Sequence, residues 1–296
     1  AYGLTAMDAI TTGDDNVAIG FNAGGTMTTG LENVIIGSDA VGTGVMTAGQ
    51  GVFIGNDAGL NKTSGSSCIF IGYQAGEQVT TGGSNIFIGR NAGDDHDTEN
   101  NNLGIGQDAL GGAIAGGEYN VAIGNFSLDA LTSGDDNVAI GYNAGTAITS
   151  GAYSTVVGRN AGASMVDQRL TAVGYYAGAN STGNQNNFFG FNCGSGNTSG
   201  QDNIAMGYNA LYQPDTETHN LAIGNASMAG AIAGGEFNVA IGNNTLDALT
   251  SGDGNVAIGY QAGTDLTTAE RTVFIGKHAG QNVTTGGSVL IGGNAG

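Results

Sequence analysis

A glycine that follows an apolar residue returns every 16, 17 or 18 residues along this chain, from Gly3, Gly20, Gly37, Gly55 and Gly72 through to Gly276 and Gly292. A unit that short cannot bury its own apolar face. Successive units must therefore stack so that each covers its neighbours. The consensus around each anchor is Asn-Val-Ala-Ile-Gly-x-Asn-Ala-Gly, then a variable stretch closing on Thr-Thr-Gly or Thr-Ser-Gly, as in residues 137–145 followed by Thr149, Ser150 and Gly151. Val-Ala-Ile favours extended backbone, and the glycines admit conformations that other residues resist. The spacing predicts one strand, a turn, a shorter second strand and a second turn per unit.

The fold class expected is all-β: a parallel β-solenoid, or β-roll, of about 17 coils with a 17-residue repeat running continuously over residues 1–296. At roughly 4.8 Å per coil this is a rod on the order of 80 Å long. A longer period lies over the short one. Residues 113–130 return almost unchanged at 231–248, so a block near 113–162 reads as duplicated near 231–280, an offset of seven coils. In-register duplication suits a fold in which each coil touches only the next.

Composition removes several alternatives. The chain has 57 Gly but one Pro, which excludes a collagen helix, and 40% hydrophobic residues argue against simple disorder. No apolar run reaches membrane-spanning length, so membrane insertion is not expected. A net charge of −19 makes nucleic acid a poor partner.

Strand alternation sorts the columns. The residues one and three before each anchor, such as Ile19 and Val17 or Ile71 and Ile69, share a face and are expected to fill the coil interior. The column between them then points outward, yet it includes Ile35, Phe53, Phe70, Phe87, Val156, Phe188, Phe274 and Leu290. A strand apolar on both faces is covered on both. These eight residues are therefore expected to form an oligomer interface, with a second and third copy supplying the cover. Three residues after the anchor, Ala6, Ala23, Ala40, Ala58 and their successors mark a tight inward corner. Four before it, Asn16, Asn33, Asn85, Asn102, Asn120 and later equivalents are expected to stack as an Asn ladder bonded to neighbouring coils. Cys68 and Cys193 stand seven coils apart, about 34 Å, too far for an intrachain disulfide.

Sites for chemistry are scarce. His96, His219 and His278 pair with no nucleophile at a recognisable spacing, and no phosphate-binding loop or nucleophile elbow stands in its required context, so the chain is not expected to be an enzyme. No cofactor is expected. Asp94, Asp95, Asp97 and Glu99 gather on one turn and are a candidate Ca²⁺ site, weighed against a solvated acidic turn. Thr and Ser pairs such as Thr28-Thr29, Thr80-Thr81 and Thr284-Thr285 form a hydroxyl edge, the basis of an alternative ice-binding reading. One residue after the anchor, Tyr73, Arg90, Tyr142, Arg159, Tyr208 and Tyr260 form an aromatic and basic stripe. It is a candidate subunit seam or ligand surface.

The Asn-Val-Ala-Ile-Gly-x-x-Ala-Gly core, repeated along essentially the whole chain, resembles the repeats of trimeric autotransporter adhesin heads and of phage or bacterial tail fibres. That resemblance implies a left-handed roll, a homotrimer and an extracellular, cell-surface or virion location. Taken together, the expectation is a non-catalytic structural or adhesive fibre segment, the shaft or head of a tail fibre or surface adhesin. Its partners would be copies of itself and a host-surface or glycan receptor. The chain enters and leaves in mid-coil, so flanking sequence or end-to-end stacking into an extracellular filament is the alternative expectation for its termini.

Overall fold

A computed structural model describes residues 1–113, 116–166 and 169–296; Ile114 and Ala115 of the duplicated block lie outside them. The chain is a parallel β-solenoid. It divides into two compact units, Ala1–Tyr153 and Ser154–Gly296. The first unit carries eight three-residue strands, β1 (Val17–Ile19) to β8 (Val138–Ile140), and the second carries nine, β9 (Thr155–Val157) to β17 (Val289–Ile291). Within each unit every strand pairs in parallel with the next, equivalent residues in register: Val17 with Val34, Ala18 with Ile35, Ile19 with Ile36. Among the described residues there is no helix, and so none long and apolar enough to cross a membrane.

The anchor glycine is required by both backbone and space. From Gly20 to Gly89 the anchors hold φ between +138° and +145°, which residues with a Cβ rarely adopt. A Cβ on any of these five would also lie 2.1–2.4 Å from the carbonyl oxygen of the next anchor. The turn that follows bends through left-handed positions. Asn22, Asp39, Asp57, Gln74 and Asn91, two after their anchors, have φ of 51–57°. Asn and Asp tolerate this region best among residues with a side chain, which accounts for the Asn in the consensus.

Among the described residues the expected shorter second strand is not formed. Left-handed residues break the alternation, and the return side is a series of turns whose amides bond directly to the next coil, as in Gly24 N–H to Ala40 O and Gly76 N–H to Ala92 O, both 2.9 Å. Coil-to-coil bonding is thus kept without a second ladder.

The strand faces are the reverse of the alternation argument. The central residue of the strand points into the coil: Ile35, Phe53, Phe70, Phe87, Val156, Phe188 and Phe274 are all at most 1% exposed within the single chain, and Leu290 is half-buried. They cannot be the expected intersubunit surface, because the coil around them already covers them. The flanking Val and Ile residues, expected inside, are the outer face; none of them is buried.

Volume explains the choice. The interior also receives the residue four after the anchor, and the two positions compensate. Phe53, Phe70, Phe87, Phe188 and Phe274 each share their coil with a glycine there (Gly59, Gly76, Gly93, Gly194 and Gly280), whereas Gly104 shares its coil with Leu110. A Cβ on Gly93 would lie 2.5 Å from the Phe87 ring. The rings pack along the axis, Phe53 on Phe70 edge-on at 5.4 Å and Phe70 on Phe87 stacked at 5.3 Å. The rest of the core comes from the alanine column and from a column seven after the anchor, including Met27, Val79, Leu131 and Leu249.

Candidate functional site

The Asn column is a buried structural ladder. Asn33 N–H donates to Asn16 Oδ1 (2.9 Å), Asn120 N–H to Asn102 Oδ1 (2.9 Å), and Asn255 N–H to Asn238 Oδ1 (2.9 Å). Each Nδ2 also reaches a backbone carbonyl 14 or 15 residues on, as from Asn120 to Gly134 O (2.8 Å) and from Asn238 to Gly252 O (2.9 Å). These amides satisfy turn backbone that would otherwise be buried without partners.

Cys68 stands where this ladder calls for Asn, and the fold supplies a substitute. The carbonyl oxygen 14 residues on belongs to Gly82; it receives the Lys62 Nζ, with the Cys68 thiol 3.4 Å away. Lys62 is fully buried, and that burial lowers its pKa. Neither this exchange nor the burial of a lysine could be read from the repeat. Cys68 and Cys193 are both buried and free; Cys193 sits in the alanine column with its thiol pushed up to about 12 by burial, a poor nucleophile.

The acidic turn does not assemble a cation cage. Glu99 is buried, and its carboxylate accepts the backbone N–H groups of Asp97 (2.9 Å), Thr98 (3.0 Å) and Gly116 (3.0 Å). Glu217 repeats the device 118 residues on, accepting from Asp215, Thr216 and Gly234. Asp97 accepts from the Thr80 hydroxyl. Burial, then the neighbouring Asp95 charge, holds the Asp94 carboxyl up at about 6. Among the described residues, no three His, Cys, Asp or Glu side chains group closely enough to hold a metal ion. His96, on the same turn, is fully buried against Phe87 (4.8 Å, edge-on), neither ring nitrogen has a hydrogen-bond partner, and burial alone lowers its pKa to about 3.

The hydroxyl edge is tied into the stack. Thr11, Thr132 and Thr250 donate through Oγ1 to the carbonyls of Thr28, Thr149 and Thr267 on the next coil, at 2.9–3.0 Å.

The aromatic and basic column does lie outside. Tyr73, Tyr142, Tyr208 and Tyr260 are each about half exposed, and Arg90 pairs with Asp108 at 3.8 Å. Arg159, also exposed, completes the stripe. The second unit has a run of three: Tyr175, Phe191 and Tyr208 stack at 4.9 and 5.3 Å with planes 14° and 12° apart.

In each unit the outer face carries an apolar pair of columns that alternation assigned to the core. In the first unit all sixteen flanking strand positions are Val, Ile or Leu, and in the second unit only Thr155, Thr171 and Asn187 are polar. No charged side chain occupies either column in a chain of net charge −19. At 1.5–3 kcal/mol per fully buried Val or Ile and 25 cal/mol per Å², a side chain spans roughly 60–120 Å². With about a third of each in water at most for all but Val17, Ile19 and Ile140, the first unit alone presents up to about 400 Å² of apolar surface, the range that marks contact sites.

Comparison with known proteins gives no relative: no family model matches the chain, and neither a curated protein nor a solved structure is significantly similar to it.

Proposed function

We propose that this chain is a non-catalytic structural segment of an extracellular fibre, a shaft or head of the adhesin or tail-fibre kind, assembled as a homotrimer through its outer Val and Ile columns. The observation that carries the reading is the double column itself: uncharged, β-branched but for Leu103, and repeated on all eight strands of the first unit. Each unit carries such a face, and a few hundred Å² of contiguous apolar surface is what marks a contact site. Copies related by a rotation axis present the same column to one another, so a periodic face is complementary to itself along its length. The resemblance of the repeat to adhesin heads and tail fibres supports the extracellular setting. Buried side chains, meanwhile, are spent on holding coils together, as in the Asn ladder and the Glu99 and Glu217 caps.

Sedimentation equilibrium on the purified chain tests the proposal. The expected species has three times the 29.2 kDa chain mass. A monomer throughout the micromolar range would overturn it.

A further inference from the structure

The second unit carries a groove that the repeat does not explain. It spans the coils anchored at Gly174, Gly190 and Gly207 and encloses about 410 Å³. One side is Tyr175 with Tyr176, their rings 4.5 Å apart and tilted by 55°, and the other is Tyr212. Five residues after the anchor, where other coils place Asp8, Glu77, Asp94, Asp129 or Asp247, these coils place Ala179 and Ser195, both buried, and the groove opens above them. Two amides complete it. Asn180 donates through Nδ2 to Ser195 O (2.9 Å), which fixes its amide across two coils and turns Oδ1 into an available acceptor; Asn192 lies half-buried beside it.

The chemistry of this lining is narrow. It holds three phenols, two amides and a hydroxyl, and no charge, on a chain of net charge −19. Among the lining residues an anionic ligand would find no cation and a cationic ligand no carboxylate; Arg159 stands one coil away on the Tyr175 column. Tyr175 also ends the exposed stack with Phe191 and Tyr208, so apolar ring surface is held rigidly at the rim. Rigid aromatic surface beside a few fixed polar groups is what an amphipathic small ligand requires. A sugar ring has that character, with a C–H face for the rings and hydroxyls around its edge for the amides.

We propose that this groove is a binding site for neutral saccharides, the C–H face packing on Tyr175 and Tyr176 and the hydroxyls bonding to Asn180 and Asn192. Three coils at the strand spacing span about 10 Å, room for one or two sugar rings. The site lies on a different column from the Val and Ile face and stands on its own geometry, so it survives if the chain proves monomeric.

Saturation-transfer NMR on the full chain tests it, with glucose, galactose, mannose and N-acetylglucosamine oligosaccharides as probes and a sialylated and a sulfated glycan as comparators. Transfer to at least one neutral oligosaccharide is expected. Tyr176→Ala and Tyr212→Ala, and the milder Asn180→Asp, are each expected to weaken it tenfold or more, whereas Tyr73→Ala, on the aromatic column of the first unit, leaves it unchanged. Circular dichroism confirms that each variant is folded. No transfer from any neutral probe at millimolar concentration overturns the proposal, as does binding confined to the charged glycans or binding indifferent to all three groove variants.

Discussion

Single residues in this protein are chosen for backbone shape before side-chain chemistry. Each coil must pass through the anchor glycine near φ +140° and through left-handed positions at Asn22, Asp39 and their equivalents, so Gly, Asn and Asp fill the sequence without implying a ligand. Against that background, two buried polar residues stand out. His96 is neutral in the folded state, with its pKa lowered by burial from 6.5 to about 3. The unfolded chain takes up a proton below about pH 6.5 that the folded chain refuses, so His96 costs stability progressively as pH falls from 6.5 towards 3. Asp94 acts in the opposite sense, because its raised folded pKa favours the folded state as pH falls through 6. His96→Leu is therefore expected to raise the urea midpoint, and to raise it by more at pH 5 than at pH 7. Equal acid sensitivity in parent and variant would contradict this assignment. The second residue is Lys62, which donates to Gly82 O where the Cys68 thiol, in place of the ladder amide, is only a weak donor. Lys62→Met is expected to cost about 1–3 kcal/mol by leaving that carbonyl with only the weak thiol donor. Adding Cys68→Asn, which restores the ladder amide, should recover most of the loss in the same denaturation measurement.

At the scale of the coil, the strand, the period and the Asn ladder were legible because they are repeated, and repetition averages away local exceptions. The direction of the strand was not. Alternation establishes that Val17 and Ile19 share a side opposite Ala18, but it does not say which side is inside. The deciding signal is volume. An interior column can vary from Gly104 to Phe87 only if another position answers it, and Leu110 and Gly93 do so. That covariation is present in the sequence and would have identified the core column. The absent second strand was illegible for a different reason, since it depends on left-handed conformations at residues such as Gln74 that carry no obvious signature. The compensation makes a direct test. Phe87→Ala alone is expected to cost roughly 3–5 kcal/mol. Gly93→Leu alone should be strongly destabilising from overpacking against the ring and strain at φ 58°. Combined, the two should be markedly less harmful than their sum, reproducing the Gly104 and Leu110 arrangement; simple additivity of the melting shifts would contradict it.

At the scale of the molecule, the two units repeat one plan: a dry column of rings and small residues inside, amide and carboxylate bonds between coils, and an uncharged Val and Ile face outside. The candidate interface was anticipated on the wrong column, while the saccharide groove depends on a local conjunction of Tyr176, Ala179 and Tyr212 that no periodic reading isolates. Association through the outer face is the claim on which the fibre reading depends. Its most direct test is light scattering on the Ile54→Glu/Ile71→Glu/Ile88→Glu variant, with circular dichroism to confirm the fold. These side chains lie on the outer face and none is buried, so the charges should reach solvent, leave the solenoid intact and drive the particle from three chains to one. A folded variant that keeps the parent's mass would contradict assembly through this face.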